Sequence, residues 1–229
     1  MWMLVDAIRQ REWVWVFLIL VIWGFGAIWY YFQIYRASPA SLRGFELPGA
    51  FDRKRIKQLQ AQIHHLDNAY HHYQLGDVYF RQGKLQKAEE CYRTALERDG
   101  TDIDARAHLG QCLLREGKAA EALPLLQGVI KENPKHDFGY SMMALAESYT
   151  ATGNEAAAVQ TLQYVTASHS YPRAKVQLAE LYAKQNHVEQ ARAELNEVLA
   201  DDVHAPTFQR KRDRVWVRRA RKLSKSIGK

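Results

Sequence analysis

Apolar residues recur in this chain with two superposed periods. Within short segments they stand three and four residues apart, as on one face of a helix. The whole arrangement then repeats after 34 residues. Leu75-Gly76, Tyr79, Gly83, Ala88, Tyr92, Ala95 and Gly100 are answered by Leu109-Gly110, Leu113, Gly117, Ala122, Leu126, Val129 and Pro134. A fixed period of this size predicts stacked supersecondary units, each burying the face that its neighbour would otherwise leave open. The unit is predicted to be a helical hairpin. Small residues (Gly76, Ala88, Ala95) stand where its two helices approach closely. Gly83 and Gly117 fall between two amphipathic segments, where a turn needs a residue that tolerates positive φ.

The template extends further. Met142, Leu145-Ala146, Tyr149, Gly153, Ala158, Leu162 and Val165 make a third copy, entered through a two-residue insertion near Lys135-His136. Leu178-Ala179, Tyr182, Ala191, Leu195 and Val198 make a fourth, with Asn186 in the turn position. Over residues 69–202 the chain resembles the tetratricopeptide repeat (TPR) family, whose period is 34 residues. The fourth copy is degenerate, as suits a terminal repeat with one side uncovered. An aromatic usual early in the first helix of this family is replaced by His72, Arg106 or Met142. The expected fold class is all-α: a solenoid of about four hairpins.

Outside the repeats, residues 13–35 hold no charge and only one strongly polar side chain, Gln33. A helix of that length reaches about 30–35 Å, enough to cross a bilayer. Trp13 and Trp15 mark one end and Trp29, Tyr30, Tyr31 and Tyr35 the other, as interfacial aromatic belts do. A cleaved signal peptide, with Ser38-Pro39-Ala40 as processing site, is the competing reading; the run is too long and its far end too aromatic for one. Arg9 and Arg11 precede the segment, while Arg36, Arg43, Arg53, Lys54, Arg55 and Lys57 follow it. The excess of cations predicts a single-pass protein of the inner (plasma) membrane with its C-terminal part in the cytoplasm. Asp6, Arg9, Arg11, Trp13 and the run Gly26-Ala27-Ile28-Trp29-Tyr30 are similar to the short hydrophobic module ahead of cardiolipin synthases and phospholipase-D-type nucleases. No H-x-K motif follows, so that resemblance implies no activity.

The expected organisation is thus an anchor over 1–36, a linker over 37–50 rich in Ser, Pro and Gly, an approach helix over 51–68, the repeats over 69–202 and a basic helix over 203–229. In the approach region Ile56, Leu59, Ile63, Leu66, Tyr70 and Tyr73 form a heptad-like stripe. It suits either a helix capping the first hairpin or a short coiled coil that makes a homodimer through 56–73; the length favours the cap. His64, Asp67 and His71 would share a face of one continuous helix, but no i,i+4 histidine pair accompanies them, so no metal is expected.

The net charge of +7 matters less than its placement. Residues 1–59, 60–203 and 204–229 carry +4, −6 and +9, an acidic scaffold with a basic tail. Cys91 and Cys112 stand at helical repeat positions without a C-x-x-C partner, which predicts small buried apolar residues. Gly76…Gly83-Lys84 and Gly110…Gly117-Lys118 lack the spacing and the Ser/Thr of a phosphate loop. No catalytic motif is present, so neither an enzyme nor a cofactor is expected.

The TPR resemblance implies a concave groove lined by the first helix of each hairpin. It places Tyr70, Tyr73, Asp77, Phe80 and Arg81 there from the first repeat, and Asp104, Ala107, Gln111, Leu114 and Arg115 from the second. Tyr140, Met143, Glu147, Thr150 and Ala151 follow from the third, then Arg173, Val176, Glu180, Ala183 and Lys184. A clamp for acidic chaperone tails is not implied, because Tyr73 and Asp77 stand where its Lys and Asn would. Aromatic and Met side chains with Arg81 and Arg115 suit a partner's helix or extended segment, although aromatics at these positions also pack between hairpins.

In the tail, Phe208, Trp216, Ala220, Leu223 and Ile227 lie near one helical stripe among many Arg and Lys. The stripe suits a helix covering the last hairpin. Arg218, Arg219, Arg221 and Lys222 suit an anionic membrane surface, and less well RNA, since no stacking platform accompanies them. The expected function is that of a membrane-embedded scaffold docking a protein partner. The alternative is a membrane-surface regulator acting through its basic tail.

Overall fold

The computed structural model describes residues 50–227, and among them it contains ten α-helices, one 3-10 turn and no strand. The expected span over 13–35, the anchor and the linker lie outside the described residues. Among the described residues, no helix is long and apolar enough to cross a membrane. The chain divides at Arg55–Ile56 into two units, and the packing that follows is that of residues 56–227.

Helix α1 (Ala50–His65) turns Ile56, Leu59 and Ile63 onto Leu75, Val78, Tyr79 and Cys91, and Leu59 is fully buried. This is the capping arrangement. The heptad stripe does not continue as one helix, which corrects the basis for a dimer through 56–73. Residues 66–68 break it, and Asn68 caps α2 by accepting a 3.0 Å bond from the His71 amide. Leu66 and Tyr70 are exposed. The break also separates His64 from Asp67 and His71. The Asp67 carboxylate instead bonds His72 at 2.6 Å and Arg98 at 2.7 Å.

Four hairpins follow: α2 (Ala69–Arg81) with α3 (Leu85–Arg98), α4 (Ile103–Arg115) with α5 (Ala119–Glu132), α6 (Tyr140–Ala151) with α7 (Glu155–Ser168), and α8 (Pro172–Lys184) with α9 (Val188–His204). Each packs on the next, so the core runs from hairpin to hairpin rather than closing within one. Tyr92, Leu113, Leu126, Leu162, Leu178 and Leu195 are among its largest fully buried members. Each such aliphatic side chain stabilises the stack by roughly 1.5–3 kcal/mol.

The four hairpin turns share one mechanism. After α2 the amide of Gly83 bonds the Phe80 carbonyl and that of Lys84 bonds the Tyr79 carbonyl, both at 3.0 Å. This pair of bonds, with a left-handed residue between, ends a helix by satisfying its last carbonyls. The same pattern recurs at Gly117-Lys118, Gly153-Asn154 and Asn186-His187. The left-handed residue has φ of +73°, +80°, +83° and +62° in turn. Asp102 caps α4 and Asn154 caps α7 through their side chains, each a contribution of about 1 kcal/mol.

The insertion before the third hairpin forms a 3-10 turn at His136–Gly139, with Asp137, Phe138 and Gly139 all at positive φ. Buried His136 pins it. Its Nδ1 lies 2.7 Å from Ser141 Oγ and its Nε2 lies 2.9 Å from the Asp104 carboxylate. Helix α10 (Thr207–Ile227) then packs on α8 and α9, bringing Trp216, Val217, Ala220, Leu223 and Ile227 to the last core cluster. It takes the place that the first helix of a fifth hairpin would take. Phe208, expected on that stripe, is exposed and stays out of the cluster, because its position on the helix turns it toward the outer face.

Candidate groove

Of the first helices of the hairpins, α2 touches α4, α4 touches α6 and α8 touches α10, while α6 and α8 are joined by the side chains of Glu147, Arg173 and Gln177. The sequence-predicted groove residues fall on these helices, but the tertiary structure divides them into two halves of different chemistry.

In the N-terminal half, Asp77 is the centre of a network joining α2, α3 and α4. Its Oδ1 accepts from the Tyr92 hydroxyl and bonds His108 Nδ1, each at 2.7 Å. The Tyr73 ring lies 5.2 Å from His108 and 6.2 Å from Tyr92. Burial and the Asp77 charge push the Tyr73 and Tyr92 hydroxyls far above their ordinary range. Burial is the largest single influence on His108 and opposes its protonation, but the bond to Asp77 and the charges of Asp77, Asp137 and Asp104 together outweigh it and raise the imidazole above its usual value. Asp77 is therefore not the bare repelling acid that its groove position implies. It is committed to neighbours.

Around this network several side chains remain open. The Arg115 guanidinium stacks 4.2 Å over the Phe80 ring, and Arg81 is exposed without a partner among the described residues. Tyr70 is exposed as well. Gln111 is half-buried, and its Nε2 is buried without a protein partner. Arg81 and Arg115, each in the last turn of its helix, are thus left without a carboxylate partner among the described residues.

In the C-terminal half the charges are spent on the fold. Glu147 of α6 accepts from Arg173 and Gln177 of α8. Glu180 of α8 accepts from Arg219 of α10, at 2.7 Å through Nη2. Arg173 and Arg219 flank the Trp216 ring at 5.7 and 5.5 Å. Glu147, Glu180, Gln177 and Arg219 border a cavity of about 320 Å³ there. Met143 does not line the groove. It is 1% exposed, because the α6–α7–α8 core closes over it. Tyr140 stays partly open, 5.2 Å from the Tyr171 ring.

The tail residues also separate. Arg219 is held by Glu180, and Arg221 by Asp202 at 3.0 Å, so neither points away from the repeats as a free cation. Arg218 and Lys222 are exposed and unpaired among the described residues.

Sequence reasoning missed His108, His136 and Gln177, whose partners stand 30 to 32 residues away, and it placed Arg173 in the groove without its partner Glu147, 26 residues away. The near-34 separation of these pairs was the one signal available, since a stacked repeat sets positions about one period apart against each other. It also missed a cavity of about 420 Å³ under the inserted turn, lined by Phe138, Met142, Tyr164 and His169 among others.

Models described as tetratricopeptide repeat match residues 73–137, 113–170 and 172–197. TPR repeat-containing protein YpiA of Bacillus subtilis (strain 168) is 26% identical over 112 residues, which are 47% of this chain and only 26% of that protein. Among solved structures, MamA 41-end from Desulfovibrio magneticus RS-1 superposes with a TM-score of 0.64 at 16% identity, over 70% of this chain and 90% of that one. YrrB, a TPR protein with an unusual peptide-binding site, superposes with a TM-score of 0.58 at 18% identity, over 65% and 77% of the two chains. At these identities the structural likeness is one of fold.

Proposed function

Because the chain carries tetratricopeptide repeats, we propose that it is a docking scaffold that receives a segment of a protein partner in the N-terminal half of its groove, beside Tyr73, Phe80, Arg81, Gln111 and Arg115. The observation that carries this reading is the contrast between the two halves. Arg173 and Arg219 are consumed by Glu147 and Glu180, whereas Arg81 and Arg115 keep their charge available. A partner segment offering carboxylates spaced to meet the two arginines, with apolar side chains for Phe80, Tyr73 and Tyr70, is complementary to that arrangement. Likeness in fold to YrrB, itself described as having a peptide-binding site, is in keeping with this reading. The uncharged segment 13–35 would hold the scaffold at a membrane.

The test is affinity capture from detergent extracts with the wild type beside an Arg81→Glu/Arg115→Glu variant. Both positions are exposed, so the variant should keep wild-type helicity. A partner lost from the variant supports the groove, and its sequence supplies the docked segment. An unchanged set of partners sinks the reading.

A further inference from the structure

The outward face of α10 is built from cations that nothing else in the described chain uses. Phe208, Lys211, Val215, Arg218, Lys222 and Lys225 follow one another at spacings of 3, 4, 3, 4 and 3, a single stripe along the helix, with Arg214 beside it. All are exposed, Phe208 at 71% and Val215 at 67%. Lys211, Arg214, Arg218, Lys222 and Lys225 have no ion-pair partner among the described residues. The other face takes the paired groups. Arg219 and Arg221 are drawn to Glu180 and Asp202, and the helix's one acid, Asp213, turns inward against Arg212. The helix has sorted its charge, leaving an outer face without a carboxylate.

We propose that this face lies on an anionic lipid bilayer. The stripe winds only slowly around the axis and extends over about 25 Å of helix. A flat anionic surface can meet all five cations together, and each adds to the attraction. Phe208 and Val215 lie among the cations, where apolar side chains enter the headgroup region of a bound surface. A nucleic acid strand is a poorer occupant, since Phe208 is the only aromatic on the face and base stacking needs a series of rings. A second copy of the same face is repelled by like charge. The inference is independent of what the groove holds. It shares with the proposed function only the placing of the chain at a membrane.

The test uses the full chain with neutral phosphatidylcholine vesicles and with vesicles containing phosphatidylglycerol. Lys211, Lys222 and Lys225 are labelled with an amine reagent and read by mass spectrometry against exposed Lys131 on α5. Labelling should slow several-fold on the anionic vesicles only, and recover at high salt. In an Arg214→Gln/Arg218→Gln/Lys222→Gln variant, which removes no internal contact, Lys211 should lose its protection. Equal labelling on both vesicles overturns the proposal. Protection by a single-stranded RNA oligomer but not by anionic vesicles also overturns it and assigns the face to nucleic acid. Flotation with neutral vesicles reads the span separately. A chain that does not float there loses the span reading, while the labelling contrast still decides this one.

Discussion

The Tyr92 ring lies so close to the backbone of Gly76 that a Cβ there would stand 2.6 Å from the ring, and the same tyrosine is tied at its far end to Asp77. The next repeat has the same close approach between Gly110 and Leu126, at 2.7 Å, but Leu126 is an aliphatic chain with no tether. Alanine would gain up to about 1 kcal/mol of helix propensity at either glycine. Overpacking opposes that gain by about 1–3 kcal/mol. Gly76→Ala should therefore be destabilising, and more so than Gly110→Ala, because the ring cannot move without breaking its bond to Asp77. Urea unfolding of the two variants checks the order; equal midpoints would remove the role given to the tether.

The fourth hairpin turn uses Asn186 at φ +62°, where the other three use glycine. Asparagine tolerates this region better than most residues but still carries a Cβ. Asn186→Gly should raise stability by about 0.5–1 kcal/mol, since relief of the left-handed conformation outweighs the added freedom of the unfolded chain. Thermal or urea unfolding gives the sign directly.

The Asp77–His108 pair makes stability depend on pH. His108 is raised above its ordinary value of 6.5, so its contribution is fully present below that value and is lost as pH rises through the folded-state value. The stability difference between wild type and His108→Gln should shrink as pH rises above 6.5. Glu89 behaves in the opposite sense. Its bonds to Lys118 and Arg93 hold it down to about 2, so its contribution is present above 4.5 and lost as pH falls toward 2. Urea midpoints across pH for wild type, His108→Gln and Glu89→Gln separate the two.

Burial pushes the Cys91 and Cys112 thiols up to about 11, and Cys112 donates to the Leu85 carbonyl at 3.4 Å. At neutral pH almost none of either is thiolate. Both should react with an alkylating reagent far more slowly in the folded protein than in urea. Fast labelling of native protein would show that the hairpins open readily around them.

The parts of the fold legible in the sequence were those set by neighbours along the chain. Hairpin turns could be placed because a left-handed residue is needed where one helix ends, and Gly83, Gly117, Gly153 and even Asn186 stand there. Core faces could be placed because apolar residues must recur at helical spacing to be buried. The capping role of Leu59 was legible for the same reason, while the break at residues 66–68 was not, since the apolar stripe runs across it unbroken.

What remained illegible concerned partners far apart in sequence. Arg219 looks like any other cation of the tail until Glu180, 39 residues away, is seen to hold it. Met143 occupies a groove position by repeat register, yet the side chains of α7 and α8 close over it. By itself the sequence determined the period, the turns and the apolar faces, because helix geometry imposes those locally on every repeat. Only the tertiary structure decided which charges were neutralised and which stayed available, because that depends on distances between stacked helices that no single repeat encodes.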